Sequence, residues 1–514
     1  MVIEMNEDKS NAQKYLKMIK ERAFEKGRSE YFYIHLLPVV EISLQLSAKY
    51  NVSREACLLA AIFHDVGRID GVHQNHEKYG AKFAENTLKS DNYPREFILQ
   101  VSDAIRAHES IKAPKNSVEA VLRSADGISQ IKFPFFAYGE HRYLSRMGFE
   151  GLKRFNGEKI ENAFDKICFD EEKKSMYNLY MTRKSIFASA NGKNTQFCLF
   201  TTPMMYRRAL WEITQTCNLK CKHCLNGDPR LEENIPFSSY KEVINKMKEY
   251  GVDEIYFTGG EVFSMPHFVD VLEYAHQEGM LCSVATNGTL ITQDTAERIS
   301  QLGLKMLQVS FDGPDRESHD FIRGNGNFER SVEGLSLLHD ILRLRMSAVI
   351  MKHTQDRLEE FAELAVRLGM DELILNWPQI VGRMKVNSDL SPTINQKEFL
   401  ERYAELVEKF KGKLKITTHV HADLHGSSGI CHGGDKLIFI SSDGRLSPCS
   451  WIHKCAPEFI SKGNIFKEGF ATVVKSQDKF VSFVDEREKN GFHGCPFIAF
   501  QQNGTLMSQD SRIV

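Results

Sequence analysis

The 514-residue chain lacks a strong charge imbalance, with 66 basic against 68 acidic side chains and a formal net charge of -2. Such a balance creates no broad field to draw a polyanion or an anionic bilayer, so neither nucleic acid nor membrane is expected as a partner. No apolar run approaches the ~18 residues that a membrane span needs. The opening stretch MVIEMNEDKSNAQKYLKMIKERAF is charged and amphipathic, without the apolar core of a signal peptide, and a cytoplasmic location is expected. There is no internal repeat and no low-complexity tract. The 11 cysteines are odd in number and fit metal ligation plus a few buried thiols better than a disulfide framework.

What is present has the texture of several domains, about three at roughly 150 residues each. Residues 1–190 repeat apolar side chains at helical spacing, as in YFYIHLLPVVEISLQLSAKY and REACLLAAIFHD, and read as all-α. The Ser-, Asn-, Gly- and Thr-rich stretch 186–205 reads as a linker. Over 206–395 short apolar runs alternate with helical patterns: RALWEIT, EIYFTG, LCSVATN, MLQVSF, RMSAVIM and ELILNW. Six strand-helix units predict an α/β parallel partial barrel. Residues 396–514 are expected to form a small irregular α+β domain, with KLIFISSDGRLSPCSW as a hairpin turned at Asp443-Gly444.

The loops after barrel strands share one rim, where chemistry gathers. That rim carries Cys217, Cys221 and Cys224 after the first strand, Gly259-Gly260-Glu261 after the second, Asn287-Gly288 after the third and Asp312-Gly313 after the fourth. Three thiolates can hold three irons of a [4Fe-4S] cube and leave the fourth iron open. A zinc site completed by a further cysteine or by His223 is the plainer alternative, but leaves the rest of the rim without a role.

The C-x3-C-x2-C spacing followed by Gly-Gly-Glu resembles the radical S-adenosylmethionine (radical SAM) superfamily. The resemblance implies that SAM chelates the open iron through its amino and carboxylate groups, and that the reduced cluster cleaves it to methionine and a 5'-deoxyadenosyl radical. It also implies an electron donor such as a flavodoxin or ferredoxin. Gly259 and Gly260 would allow close backbone approach to SAM, and Glu261 would accept from its ammonium. Val262 stands where the family usually has proline. Asn287 is a candidate for the ribose or carboxylate, Ser310 and Asp312 for the next strand end, and Arg323 for the SAM carboxylate; turn or capping roles are the alternative for Asn287 and Arg323.

Near the C-terminus Cys431, Gly444 and Cys449 are spaced C-x12-G-x4-C, which resembles the auxiliary-cluster extensions called SPASM and twitch domains. Cys455 and Cys495 complete four ligands for one auxiliary [4Fe-4S] cluster, the twitch form, with zinc as the alternative. Of the nearby His419, His421, His425 and His432, one could replace a cysteine, but such histidines more often line a polar loop. Cys57, Cys168, Cys198 and Cys282 are isolated, and Cys57 and Cys282 read as core thiols.

In the helical region His35, His64-Asp65, His76, His108 and Asp126 occur in order. One histidine on an apolar helix means little; six such residues together resemble the HD-domain phosphohydrolases. By that pattern His35, His64, Asp65 and Asp126 would hold one divalent transition metal or Mg, with His76 and His108 supporting a second. His64 and Asp65 are then the catalytic pair, and Arg68, Lys78 and Arg106 are candidates for phosphate contacts. A complete ligand set would equally serve nucleotide sensing.

The function expected is therefore radical chemistry on a phosphorylated small molecule or nucleotide, coupled to a fused phosphohydrolase. The alternatives are a peptide- or protein-modifying radical enzyme with the helical domain as scaffold, and a nucleotide-gated radical enzyme.

Overall fold

The computed structural model describes residues 8–28, 31–132, 140–189, 208–226, 235–300, 302–338, 342–418, 431, 433–434, 437–492, 494–508 and 510. Most of the expected linker, Cys198, His419, His421, His425 and His432 fall outside them. The chain divides into two compact units at residues 202 and 203.

The first unit is helical throughout its described residues. Its centre is the helix Arg54–Phe63, apolar on nearly every face and buried from Ala56 onward except at Leu58. A helix without a polar face can only be stable when surrounded, and the helices Asp8–Glu25, His76–Ser90, Arg95–Ala107 and Ser117–Lys132 surround it. Ser53 caps it by accepting from the Ala56 amide (3.3 Å). Cys57 lies in this core, where burial pushes its thiol up to about 12. Gly80 permits the closest approach, since a Cβ there would lie 2.8 Å from the His64 and Phe63 carbonyl oxygens. His35 sits in a π-helical stretch, Phe32–Leu36, that runs into the helix Leu37–Lys49. Such one-turn irregularities re-aim side chains and recur at functional sites.

The second unit is built on one sheet. Its strands are β1 (Arg208–Thr214), β2 (Glu254–Gly259), β3 (Leu281–Thr286), β4 (Met306–Ser310), β5 (Leu344–Val349), β6 (Glu372–Asn376), β7 (Lys415–Thr418), β8 (Leu437–Ile440) and β9 (Leu446–Ser447). The order is β7-β6-β5-β4-β3-β2-β1-β8-β9, parallel except for the β8–β9 pair. Side chains of one parity, such as Trp211, Phe257, Val284, Leu307 and Met346, pack under the crossover helices in a single apolar core. The other parity is unusually polar. Glu254 on β2 receives Arg208 of β1 and Lys305, while Glu372 on β6 receives Arg343 and Arg345. Tyr256 of β2 also feels Arg345 of β5, although β3 and β4 intervene, as expected of a sheet that curves on itself.

All six expected strands are present, but the sheet does not stop near residue 395. β7 pairs with β6 in parallel, and β8 pairs with β1 at the opposite side. The expected division at 395/396 thus cuts a continuous sheet, because β7 completes its hydrogen bonds with β6 (Glu372 opposite Lys415) and β8 with the distant β1 (Arg208 opposite Leu437). The turn at Asp443-Gly444 is as expected, closed by Gly444 N–H to the Ser441 carbonyl (2.9 Å) with Gly444 at φ +79°. The following helices dock on the same core through Phe466, Phe470, Val473 and Phe480.

Candidate functional site

The cysteine loop leaves β1 at the C-terminal rim of the sheet. Cys221 is buried, and Cys217 and Cys224 are half-buried. Burial pushes the Cys217 thiol up to about 11, and the nearby Cys221 and Cys224 push it further the same way. Three such thiolates repel one another unless positive charge joins them, which is the condition that iron meets.

The loop is gripped from three sides. Asn218, next to Cys217, accepts from the Asn287 side-chain amide (2.9 Å) and donates to Thr289 (2.8 Å). The segment after β6 donates from Arg383 N–H to the Cys224 carbonyl (2.9 Å) and from the Asn387 amide to the Lys222 carbonyl (2.9 Å). Gly382 is in the left-handed region (φ +55°), and a Cβ there would lie 2.2 Å from the Cys224 carbonyl oxygen. The Lys222 N–H is taken by the Ile322 carbonyl (3.0 Å).

The Gly-Gly-Glu motif has a packing role within the fold. A Cβ on Gly260 would lie 2.3 Å from the Thr216 carbonyl oxygen, so the glycines make room for the end of β1. Gly260 and Glu261 N–H donate to the Thr214 and Thr216 carbonyls, each at 2.8 Å. Glu261 is fully buried and accepts from Thr286 Oγ1 (2.6 Å), Asn287 N (2.6 Å) and Phe263 N (3.1 Å). Burial raises its carboxyl while these donors oppose the rise. Its carboxylate therefore clamps the ends of β2 and β3 together.

Asp312 and Arg323 likewise find each other. Arg323 Nε donates to Asp312 Oδ2 (2.5 Å), Val349 N donates to Oδ1 (3.0 Å), and His223 Nε2 stands 3.2 Å from Oδ2. Burial opposes ionisation, yet Arg323 and His223 hold the Asp312 carboxyl at about 2. His223, the alternative zinc ligand, is thus turned to Asp312. Ser310 ends β4 in register with Ser347 of β5.

The second cysteine set is partly brought within electrostatic reach of itself. Cys449 feels Cys431 and Cys495, and Cys455 feels Cys495, with burial the main cause of each raised thiol. Cys449 begins the helix Ser450–Cys455. A small apolar cluster of Val381, Phe497 and Ile498 holds Cys495, with Leu225, Trp451 and Cys455 against it. Leu225 adjoins Cys224, so the two cysteine sets share this cluster.

In the helical unit all six expected residues converge. His35 Nε2 lies 3.3 Å from Asp65 Oδ2 and 3.4 Å from Asp126 Oδ1, and His64 Nε2 lies 3.4 Å from Asp65 Oδ2. On the other carboxylate oxygen, His76 Nε2 is 3.2 Å and His108 Nε2 3.5 Å from Asp65 Oδ1. Ligand atoms group as His35, His64 and Asp126, and as Asp65, His76 and His108, each within 4.8 Å. Asp65 is the hinge between two donor sets.

The tautomers suit metal. His64 Nδ1 is 2.8 Å from the Ala61 carbonyl and His108 Nδ1 is 2.7 Å from the Ile105 carbonyl, contacts in which Nδ1 must donate. Each Nε2 lone pair then points into the cluster. Burial lowers His64 to about 4, keeping it neutral, and its Nε2 has no hydrogen-bond partner. Burial also opposes charge on His76, but Asp65 and Glu109 lift it to about 9. The donor set fits divalent ions.

Three neighbours escaped the sequence reading. Glu109 Oε1 is 3.3 Å from His76 Nε2 and accepts from Arg68 (2.7 Å). Lys166 Nζ bridges Asp126 (2.7 Å) and Glu109 (2.5 Å). Tyr31 donates its hydroxyl to Asp65. Adjacency to His108 was the one signal for Glu109; Lys166 had none. Of the candidate phosphate contacts only Arg68 reaches the cluster. Lys78 bonds to exposed Asn75, and Arg106 pairs with Asp103 and Glu85 on the surface.

Residues 211–365 match the radical SAM superfamily, residues 32–130 the HD domain, and residues 431–496 an iron-sulfur cluster-binding domain, SPASM. The chain is a radical SAM superfamily enzyme, with an HD domain ahead of its parallel-sheet core and a SPASM domain after it. SAM and [4Fe-4S] clusters are the cofactors of that architecture. It is 26% identical over 336 residues to the AdoMet-dependent heme synthase of Nitratidesulfovibrio vulgaris, covering 58% of this chain and 90% of that one. It is 24% identical to the antilisterial bacteriocin subtilosin biosynthesis protein AlbA of Bacillus subtilis, covering 73% and 84%. In fold it is similar to Streptococcus suis SuiB bound to the precursor peptide SuiA, with a TM-score of 0.52, 14% identity, and 65% and 80% of the two chains covered. Among the described residues no helix is long and apolar enough to cross a membrane.

Proposed function

We propose that the radical SAM unit modifies a phosphorylated small molecule or nucleotide and that the HD unit is a metal-dependent phosphohydrolase acting in the same sequence of reactions. The observation that carries the second half is the position of Asp65, one oxygen toward His35 and His64 and the other toward His76 and His108. Two divalent ions held there would neutralise phosphate oxygens and acidify water. The chain's own residues do the rest: backbone carbonyls fix His64 and His108, and Arg68 and Lys166 stand ready for anionic oxygens.

In the barrel we assign Cys217, Cys221 and Cys224 to the SAM cluster and Cys431, Cys449, Cys455 and Cys495 to one auxiliary cluster. SAM bound at the first cluster supplies the 5'-deoxyadenosyl radical. Gly259, Gly260, Glu261, Asn287, Ser310, Asp312 and Arg323 line the SAM site, and all of these but Ser310 also hold strand ends and loop together. A flavodoxin or ferredoxin is the proposed electron source.

Reconstituted protein supplied with Mn, Fe, Co or Ni is expected to hydrolyse phosphoesters. The double variant His64→Ala/Asp65→Ala should abolish hydrolysis and spare SAM cleavage. Absence of hydrolysis across a nucleotide and sugar-phosphate panel would overturn the phosphohydrolase reading.

A second reading is modification of a peptide, favoured by the likeness to a bacteriocin biosynthesis protein and by the fold shared with a protein bound to its precursor peptide. On that reading the HD unit is a scaffold or nucleotide sensor, and adjacent coding of a short precursor peptide would favour it.

A further inference from the structure

The HD cluster contains more positive charge than an HD match over 32–130 accounts for, and the excess comes from one later helix. Glu140–Asp165 packs against Ser117–Lys132 so tightly that a Cβ on Gly127 would lie 2.3 Å from the Ala163 carbonyl oxygen and 3.2 Å from Lys166 Cβ. Gly127 follows Asp126, so this contact brings the end of the later helix to the metal-ligand cluster.

Residues 156, 159, 163 and 166 follow a helical stripe on that side. Lys166, just beyond the helix, reaches Asp126 and Glu109. Lys159 is half-buried, lies within electrostatic reach of Glu109, Asp126, Arg68 and Lys166, and makes no hydrogen bond or ion pair among the described residues. Asn156, one turn earlier, is fully buried, and neither its amide nitrogen nor its oxygen has a partner. An ammonium that lies 5.8 Å from the centre of the Phe155 ring without a hydrogen-bond partner, and a buried amide with nothing to bind, are costly unless a ligand completes them.

The charge balance says what that ligand is. Without metal, the carboxylates of Asp65, Asp126 and Glu109 already face Arg68, Lys159, Lys166 and the His76 ring that Asp65 and Glu109 share, so the cluster holds no surplus of negative charge. Each divalent ion then adds two uncompensated positive charges to a buried pocket, and a multiply charged anion restores the balance.

We infer that Lys159 and Lys166, with Arg68, form an anion pocket beside the HD metal cluster that receives a phosphate dianion. The inference deepens the phosphohydrolase reading and rests on it: the pocket would receive the phosphoryl group of the substrate.

The test uses the full-length protein loaded with Mn, with inorganic phosphate as probe. Mn occupancy is read by electron paramagnetic resonance and phosphate binding by paramagnetic broadening of its phosphorus resonance. Lys159→Met and Lys166→Met are each expected to weaken phosphate binding at least tenfold at unchanged Mn occupancy, while Lys159→Arg restores it and Lys78→Met leaves it as in the wild type. Equal phosphate affinity in wild type and Lys159→Met, both Mn-loaded, overturns the pocket. Should Lys166→Met fail to fold by circular dichroism, Lys159→Met and Lys159→Arg, on a half-exposed residue, decide. Failure of the wild type to bind Mn would instead overturn the metal reading beneath it, and the pocket with it.

Discussion

The side-chain amide of Asn287 donates to Asn218 at 2.9 Å, fastening the loop after β3 to the residue that follows the first cluster cysteine. Asn287 also receives the Thr289 N–H at 2.9 Å, so its carbonyl and amide are both engaged. Asn287→Ala should loosen the cysteine loop without removing a ligand. Partners of this outer kind typically change metal affinity or activity by about 10–100-fold. The expected result is reconstituted protein with lower iron per chain and deoxyadenosine formation reduced about tenfold; unaltered iron content and rate would sink the idea.

Gly260 offers a sharper steric test. A methyl group there meets the Thr216 and Gln215 carbonyl oxygens at 2.3 and 2.5 Å. Gly260→Ala must push the end of β1, and with it the cysteines, at a cost of about 1–3 kcal/mol. Cluster assembly should fail or slow while the phosphohydrolase activity proposed for the HD unit is retained. Normal cluster absorbance in this variant would show that the two strand ends can part freely.

Asp312→Asn is expected to strand the buried Arg323 guanidinium, since Asp312 supplies its carboxylate at 2.5 Å. Breaking a buried pair by removing one partner typically costs about 3–5 kcal/mol. All three tryptophans, Trp211, Trp377 and Trp451, belong to the second unit, so its melting can be followed by their fluorescence. A fall in that transition of less than a degree would remove Asp312 from the structural role.

The pH dependence of the same transition reports on Glu254. Burial opposes its ionisation, but Arg208 and Lys305 draw its carboxyl from 4.5 down to about 2. A carboxyl depressed in the folded state stabilises the fold above its ordinary value, and that contribution drains away as pH falls from about 4.5 toward 2. Glu254→Gln should be less stable at pH 7 and should lose less on acidification than the wild type. Parallel melting curves from pH 6 to pH 3 would contradict this.

Much of the architecture was legible because it repeats locally. The strands β1 to β6 are short apolar runs between helical patterns, and the cysteine and HD residues are dense enough in reactive side chains to stand out. β7 and β8 were missed as members of the sheet because nothing near Lys415 or Leu437 records the strands they pair with. The clamping contacts of Glu261 were hidden for a similar reason: its partners, Thr286 and Asn287, are 25 and 26 residues away and become neighbours only through the β2–β3 pairing. Glu109 and Lys166 are ordinary charged residues in the sequence, and gain meaning when the helices after Asp126 fold back. Lys78 and Arg106 show the converse, since closeness in sequence to a ligand histidine did not turn them toward it.

Leu225 stacks beside Val381 in the small apolar cluster that also holds Cys495 and Cys455. The two proposed cluster sites therefore rest on one shared keystone. Corrosion of either by oxygen would unseat hydrophobic packing under the other, so the pair should be installed, and lost, in close succession.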